Sequence, residues 1–428
     1  HTVTRRQRQM CIRDRSEAAP LIETITTLVG GVLLLVTVAL IFFADPLIDL
    51  VAPGLSQTTT GLEIRDIAIQ QFQIMAPMAL LAGLIGIGFG ALNAADIYWL
   101  PSISPLFSSI ALIGGIFILV FQLGEQIIQP EYAMMGGLVL AWATLIGATL
   151  QWLIQVPPLW RAGLGKLRFR FNFQNPEVQE ITKVMIPATL SSGMLHINVY
   201  TDLFFASYIP QAAASLGYSG LLVQTPLGII SNVILVPFLP IFSRLAAPEN
   251  WQDLKYRIRQ ALVLTAITML PLSAVMVTLA LPIIRVVYER YAFDLSASKF
   301  VASVLMAYAV GMFVYLGRDV LVRVFYALGD GETPFKVSVF NIFLNALLDY
   351  LLINAFGAPG LVLATVGVNL ISMVIFLWLL DRKLGGLPWG EWLIPFASLI
   401  AGSLATAVVC WTVPVSYTHL TLPTSHGV

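Results

Sequence analysis

The sequence predicts an all-α polytopic membrane protein made of two pseudo-symmetric helical lobes, and three observations carry that expectation. Hydrophobic residues make up 58% of the 428 and charged residues 11%, with a mean hydropathy of +0.85. A soluble globular chain carries about 25% charged residues, so an ordinary water-facing surface cannot be built from this composition. Apolar runs long enough to cross a hydrocarbon core of about 30 Å recur along the chain. Finally, pieces of the sequence return at a nearly fixed offset.

Eleven spans follow in order, at roughly 21–51, 66–94, 101–123, 133–157, 178–208, 211–247, 251–288, 297–327, 334–356, 359–381 and 391–413. The first carries Asp45 and Pro46 near its end, and the second closes on Ala91-Leu92. The third opens at Pro101, as the ninth opens at Pro334, a residue at home in a first helical turn. The fifth is the weakest by hydropathy, because His196, Asn198 and Asp202 interrupt it.

Net charge is zero, so the placement of charge matters more than its sum. With Leu21 inside, the inner loops hold eleven basic residues, among them Arg161, Arg168, Arg170, Arg257 and Lys383, against four outside: Arg65, Arg285, Arg290 and Lys299. Excess Lys and Arg marks the cytoplasmic side, so the first span runs outward. Cys11 and Cys410 stand far apart and form no metal or redox spacing.

Both ends read as foreign to the body of the chain. Residues 1–16 are basic and aperiodic, with no apolar core directly after them as a signal peptide would need. Residues 415–428 are equally unlike the helix before them. Both are expected to be non-native, adapter-like extensions.

The pentapeptide GLVLA occurs at Gly137–Ala141 and again at Gly360–Ala364. Its surroundings repeat too. Ala44 to Ile48 matches Ala280 to Ile284, and Ala91-Leu92 matches Ala327-Leu328, both 236 residues apart; Pro101 and Pro334 are 233 apart. Similarity in the same order at a fixed offset marks internal duplication, which is common in transporters. An even number of spans separates matching points, so the copies share one orientation. The expected division is an N-terminal lobe at 17–172, a six-helix lobe at 173–384 and a tail helix at 385–414. The second copy holds two spans, 178–208 and 211–247, with no counterpart in the first, so the first lobe is expected to lack two helices.

Ionisable groups at membrane depth are expensive and usually functional. Ser338, Asn341, Asn345 and Asp349 fall at i, i+3, i+7 and i+11, one polar stripe along a helix face. Carboxylate, amide and hydroxyl oxygens suit a hard cation. One reading is a Na⁺ site built by Asp202, Asn345, Asp349 and Thr365 with the Leu361 carbonyl. The other is hydrogen bonding between helices, which Asn and Thr make routinely. A second cluster lies on span 297–327, where Asp319 and Arg323 are expected to pair at i,i+4. That leaves Arg318 uncompensated, a cation for an anionic headgroup, with Arg323 beside it. The alternative is a self-neutralising group facing the bundle.

Enzymatic chemistry finds no footing. His196 is the only histidine outside the two ends, no Ser-His-Asp or Cys-His set has credible context, and ALGDGETP (327–334) is a tight loop between helices. The alternation Arg168, Phe169, Arg170, Phe171 reads as a membrane-surface segment rather than a nucleic-acid binder.

FYALGDGETPFKVSVFNIFLNALLDYLLI (325–353), TPLGIISNVILVPFLPIFSRL (225–245) and INVYTDLFFASYIP (197–210) together resemble the MurJ/MviN lipid II flippases of the multidrug/oligosaccharidyl-lipid/polysaccharide exporter superfamily. The resemblance runs over roughly 17–413, and LLVQTPLGIISN (221–232) is most similar to cyanobacterial members. It implies fourteen helices, two six-helix lobes and a two-helix tail lining a lipid groove. It also implies a monomer in the bacterial cytoplasmic membrane that translocates lipid II by alternating access. The family's sodium site falls on Asp202, Asn345, Asp349 and Thr365. Two departures stand out. The cavity arginines of the family's first two helices have no counterpart, and the arginine often found in the Tyr-Ala-Asp-Arg motif before the Pro corresponds to Leu221 in YSGLLVQTP here. Headgroup binding would then rest on Arg318 or Arg323. The competing expectations are a cation-coupled exporter of drugs or other polyprenyl-linked glycans, and a membrane-embedded glycosyl- or phosphotransferase.

Overall fold

The structure, a computed structural model, describes residues 2–57, 59–164, 168–171 and 176–412. Among these residues the regular structure is helical, in two compact units, His1–Met194 and Leu195–Val428. Unit 1 contains α1 (Thr2–Phe42), α2 (Ala44–Val51), α3 (Thr59–Met75), α4 (Met78–Ala94), α5 (Trp99–Ile103), α6 (Pro105–Leu123), α7 (Ala133–Leu153) and α8 (Val156–Arg161). The long α9 (Pro176–Ala206) carries the chain from one unit into the other. Unit 2 continues with α10 (Ala212–Arg244), α11 (Trp251–Thr278), α12 (Ala280–Tyr288), α13 (Leu295–Ala327), α14 (Glu332–Phe356), α15 (Ala358–Lys383) and α16 (Trp389–Thr412).

Among the described residues, ten helical stretches are long and apolar enough to cross a membrane. The fifth expected span, 178–208, forms as α9 but is not one of the ten. His196, Asn198 and Asp202 lower its hydropathy; His196 is exposed, and Asp202 bonds to α14 and α15. The expected extension at 1–16 continues the backbone of α1, whose membrane-spanning stretch starts at Ala19; the expected C-terminal extension lies outside the described residues.

Several spans expected to be continuous are broken, and two of them at the same place in the repeat. α1 ends at Phe42 and α11 at Thr278. Pro46 and Pro282 explain this, because a proline has no N–H to bond back to the residue four positions earlier, which is Phe42 or Thr278. The intervening residues, Phe43 (φ −99°, ψ 18°) and Leu279 (φ −103°, ψ 17°), share one backbone conformation. Just before the breaks, Thr37 and Ser273, again 236 positions apart, each donate a hydroxyl hydrogen bond to a neighbouring helix, at the Ala76 and Ala309 carbonyls. Polar side chains that bond across apolar helices in this way stitch a bundle together where water is absent.

The rest of the repeat is equally visible. Gly124 (φ 52°, ψ −126°) and Gly357 (φ 63°, ψ −138°) end α6 and α14 in a region that side chains disfavour, and they stand 233 apart like the prolines at the helix starts. The helix pairs α6–α7 and α14–α15 both pack closely after those turns. One difference is real: α13 runs unbroken where its counterpart is divided into α3 and α4 at Ala76-Pro77.

The core of unit 2 joins α10, α11, α13, α15 and α16 around Leu235, Phe242, Ile258, Leu305, Phe325 and Phe376. Unit 1 has a smaller buried cluster at Leu81, Ile85 and Ala148, beside an apolar trough of about 600 Å³ between α1, α4 and α8. Ile22, Leu84 and Gly88 of that trough correspond in the repeat to Ile258, Val320 and Val324. In unit 2 those three share a cluster with Ile234, Leu235 and Phe238 of α10. Large apolar side chains such as Phe121, Phe343 and Trp411 are left exposed, as expected of surfaces solvated by acyl chains.

Candidate cation site and the charged face of α13

α14 shows how a helix of this composition sorts its faces. Asn341, Asn345 and Asp349, each one turn from the next, are buried, while Phe340, Phe343, Leu347 and Leu351 are exposed on the other side. The turn at Gly357 folds α15 back along α14, which brings Thr365 to the polar face. α9 supplies the third wall.

The three helices meet at four side chains. Asn345 Nδ2 donates to Asp202 Oδ1 at 2.9 Å and to Asp349 Oδ2 at 2.6 Å, so one amide is shared by two acids from different helices. The Thr365 hydroxyl stands 3.3 Å from Asp202 Oδ2 and 3.3 Å from the Leu361 carbonyl; its single proton can serve one of them. Asn345 and Asp349 are fully buried. Among the described residues, neither acid has a basic partner. Two carboxylates in a dry site without a cation are costly, because burial removes the water that would solvate their charge.

The oxygens that remain point to what could offset that cost. Asn345 Oδ1 and Asp349 Oδ1 are buried and have no hydrogen-bond partner. Buried orphans of this kind need a water or an ion. Together with the Asp202 oxygens, the Thr365 hydroxyl and the Leu361 carbonyl, they form an all-oxygen set suited to a hard cation. A site of transition-metal type is not formed among the described residues, where no three His, Cys, Asp or Glu side chains gather.

All five residues of the expected cation set are thus brought together, and Asn341 is not one of them. It accepts from the Ser372 hydroxyl at 2.8 Å, a buried bond that joins α14 to α15. Sequence reasoning missed two supports. Asn369 donates to the Thr365 carbonyl at 2.7 Å, and Ser372 fixes Asn341. The spacing 365, 369, 372 on α15 was the available signal.

On α13 the pairing differs from the expectation. Asp319 Oδ1 lies 3.4 Å from Arg318 Nη1, and no ion pair joins Asp319 to Arg323. The Arg318 side chain is long enough to fold back on its neighbour, at the cost of a long contact. Its Nε is buried without an acceptor. Arg323 is half-buried and forms no ion pair among the described residues, so only Arg318 of the two guanidinium groups contacts the partly exposed Asp319 carboxylate.

The family model described as "Lipid II flippase MurJ" matches residues 5–426. The chain belongs to the MurJ family. It is 60% identical over 408 residues to the probable lipid II flippase MurJ of Synechocystis sp., covering 95% of this chain and 76% of that protein. Similarity to the lipid II flippase MurJ of Burkholderia cenocepacia is 25% over 396 residues, covering 90% of this chain and 73% of the other. Among solved structures, a lipid II flippase MurJ in an inward closed conformation superposes with a TM-score of 0.74 at 20% identity, over 94% of this chain and 79% of that one. An inward-facing multidrug resistance MATE family transporter of the MOP superfamily follows at 0.62 and 16%, over 88% and 84%. At those identities the structures speak for the fold. The MurJ fold and its MATE-like relative accord with the duplicated helical lobes read from the sequence.

Proposed function

We propose that this chain is a lipid II flippase of the bacterial cytoplasmic membrane, and that it couples translocation to a sodium ion bound by Asp202, Asn345, Asp349 and Thr365 with the Leu361 carbonyl. Family membership and the 60% identity to a cyanobacterial relative support the flippase, a multi-pass transporter rather than an enzyme. The coupling ion rests on one observation: two acids share the Asn345 amide in a buried pocket that leaves two oxygens without partners. A cation would tie α9, α14 and α15 together, and its release would free α9 to move. An ion alters a conformational equilibrium only by binding one state better than another, and a site assembled from three helices meets that requirement when they separate.

The substrate carries a diphosphate, which planar guanidinium groups recognise by paired hydrogen bonds. Arg318 and Arg323 are the groups proposed to meet it, one with a free buried Nε and the other without an ion pair. The protein is proposed to work as a monomer.

The test is reconstitution in vesicles with labelled lipid II, scored by accessibility of the label in each leaflet. Sodium-dependent flipping that is lost in Asp349→Ala is the expected result. Flipping of equal rate in sodium and potassium would remove the coupling ion from the mechanism, and absence of flipping in both would remove the substrate.

A further inference from the structure

Among the buried, unpartnered polar groups of unit 2, one lies beside the cation site and has not been used so far. The Tyr315 hydroxyl on α13 is buried and has no hydrogen-bond partner. A phenol in that position forgoes a hydrogen bond that a water or a ligand shell would supply. The ring itself is well held. It packs in the cluster of Val304, Ala307, Leu361 and Val366, the last two flanking Thr365 on α15. A Cβ at Gly311 would come within 2.4 Å of Val366 and 3.0 Å of the Tyr315 ring, so the absence of a side chain there lets α13 and α15 close around this tyrosine. Tyr308, two turns earlier on the same helix, packs against the same cluster. Of the two, only Tyr315 has its hydroxyl buried and unpartnered. Three residues further along α13, on the same face, is Arg318 with its own unpartnered Nε.

We infer that Tyr315 is a positioning residue of the cation site, its hydroxyl holding a water that completes the ion's shell from the α13 side. This deepens the coupling-ion reading above and rests on it. The four side chains described earlier come from α9, α14 and α15, so Tyr315 would add the one helix that also carries the headgroup arginines. Ion binding would then be felt on α13 one turn from Arg318, a route from the cation to the substrate through a single rigid helix.

The experiment measures thermal stability of the full chain in detergent against sodium concentration for the unsubstituted protein, Tyr315→Phe and Tyr308→Phe. Phenylalanine keeps the ring against Gly311 and Val366, so folding is preserved while the hydroxyl is lost. Tyr315→Phe is expected to raise the sodium concentration for half-maximal stabilisation about tenfold, the loss of one hydrogen bond in a charged site. Tyr308→Phe should shift it less than about twofold. A Tyr315→Phe protein with an unchanged half-saturation, whether or not its sodium-free melting point falls, would overturn the inference. An unsubstituted protein with no sodium-dependent shift would instead overturn the cation site on which it rests.

Discussion

A Cβ placed on Gly360 would lie 2.4 Å from the backbone oxygen of Leu352. α15 therefore begins against the last turn of α14 with no space for a side chain, and it is this contact that aims Thr365 and the Leu361 carbonyl at the acids. In the other copy of GLVLA, a Cβ on Gly137 would meet the Gln71 amide at 2.5 Å, the far end of a flexible side chain.

The two glycines should therefore differ under one substitution. Gly360→Ala has to displace backbone and is expected to cost about 1–3 kcal/mol, as overpacking does. Gly137→Ala should cost less, because Gln71 can swing aside. Thermal melts of the two variants in one detergent decide it, and equal losses would mean that the contact at Leu352 yields freely.

Asp349→Ala should abolish stabilisation by sodium, since it removes a buried charge and one of the two orphan oxygens of the site. Asn341→Ala, two turns away, should lose roughly 1 kcal/mol through its bond to Ser372 and keep the sodium response. Titrations with sodium and with potassium, read by melting temperature, separate the two effects.

The loop between α13 and α14 gives a pH test outside the membrane. Burial alone would push the Asp330 carboxyl up, but Lys383 Nζ at 2.6 Å and the Thr333 amide and hydroxyl at 3.0 and 2.9 Å hold it below the usual carboxylate range. A lowered folded value means that the stabilisation is present above the unfolded value, about 4. It is lost as pH falls through the folded one. Asp330→Asn should then melt lower than the parent at neutral pH, with the gap closing below about pH 4. A gap that stays constant down to pH 3 would show that ionisation of Asp330 contributes nothing.

Orientation follows from the loop charges. A reporter fused after Trp251 should read cytoplasmic and one after Phe293 periplasmic, because eleven basic residues fall on one side and four on the other. The reverse pattern would invert the whole arrangement.

Much of this was legible in the chain before any coordinates. The duplication could be read because proline serves as backbone punctuation, and Pro46 and Pro282, Pro101 and Pro334 and the two GLVLA segments kept their order in both copies. The helix breaks before Pro46 and Pro282 were equally open to reading, yet the apolar runs around them masked the missing N–H groups. The cation set stood out because an acid and an amide one turn apart are rare in so apolar a helix. The Arg318–Asp319 contact and the role of Asn369 were harder, since side-chain reach and facing neighbours decide them and helical spacing does not. Tyr315 left no signal, because a tyrosine in a membrane helix is ordinary until its hydroxyl is seen to lack a partner.

Where α14 and α15 place Asn345, Asp349 and Thr365, the matching positions of α6 and α7 are Leu112, Ile116 and Trp142. Duplication copied the scaffold, and only one copy carries these ligands. With one such pocket, a cycle that carries a single sodium ion inward draws on a single charge crossing the membrane, about 2.3 kcal/mol for each 100 mV of potential, plus whatever the sodium gradient adds. A load heavier than that in one turnover would have to be met by removal of the product on the far side. If the proposed sodium ion drives the cycle, one pocket on α14 bounds only the work that ion supplies per transported lipid, and a measured ratio of sodium moved to lipid flipped tests it.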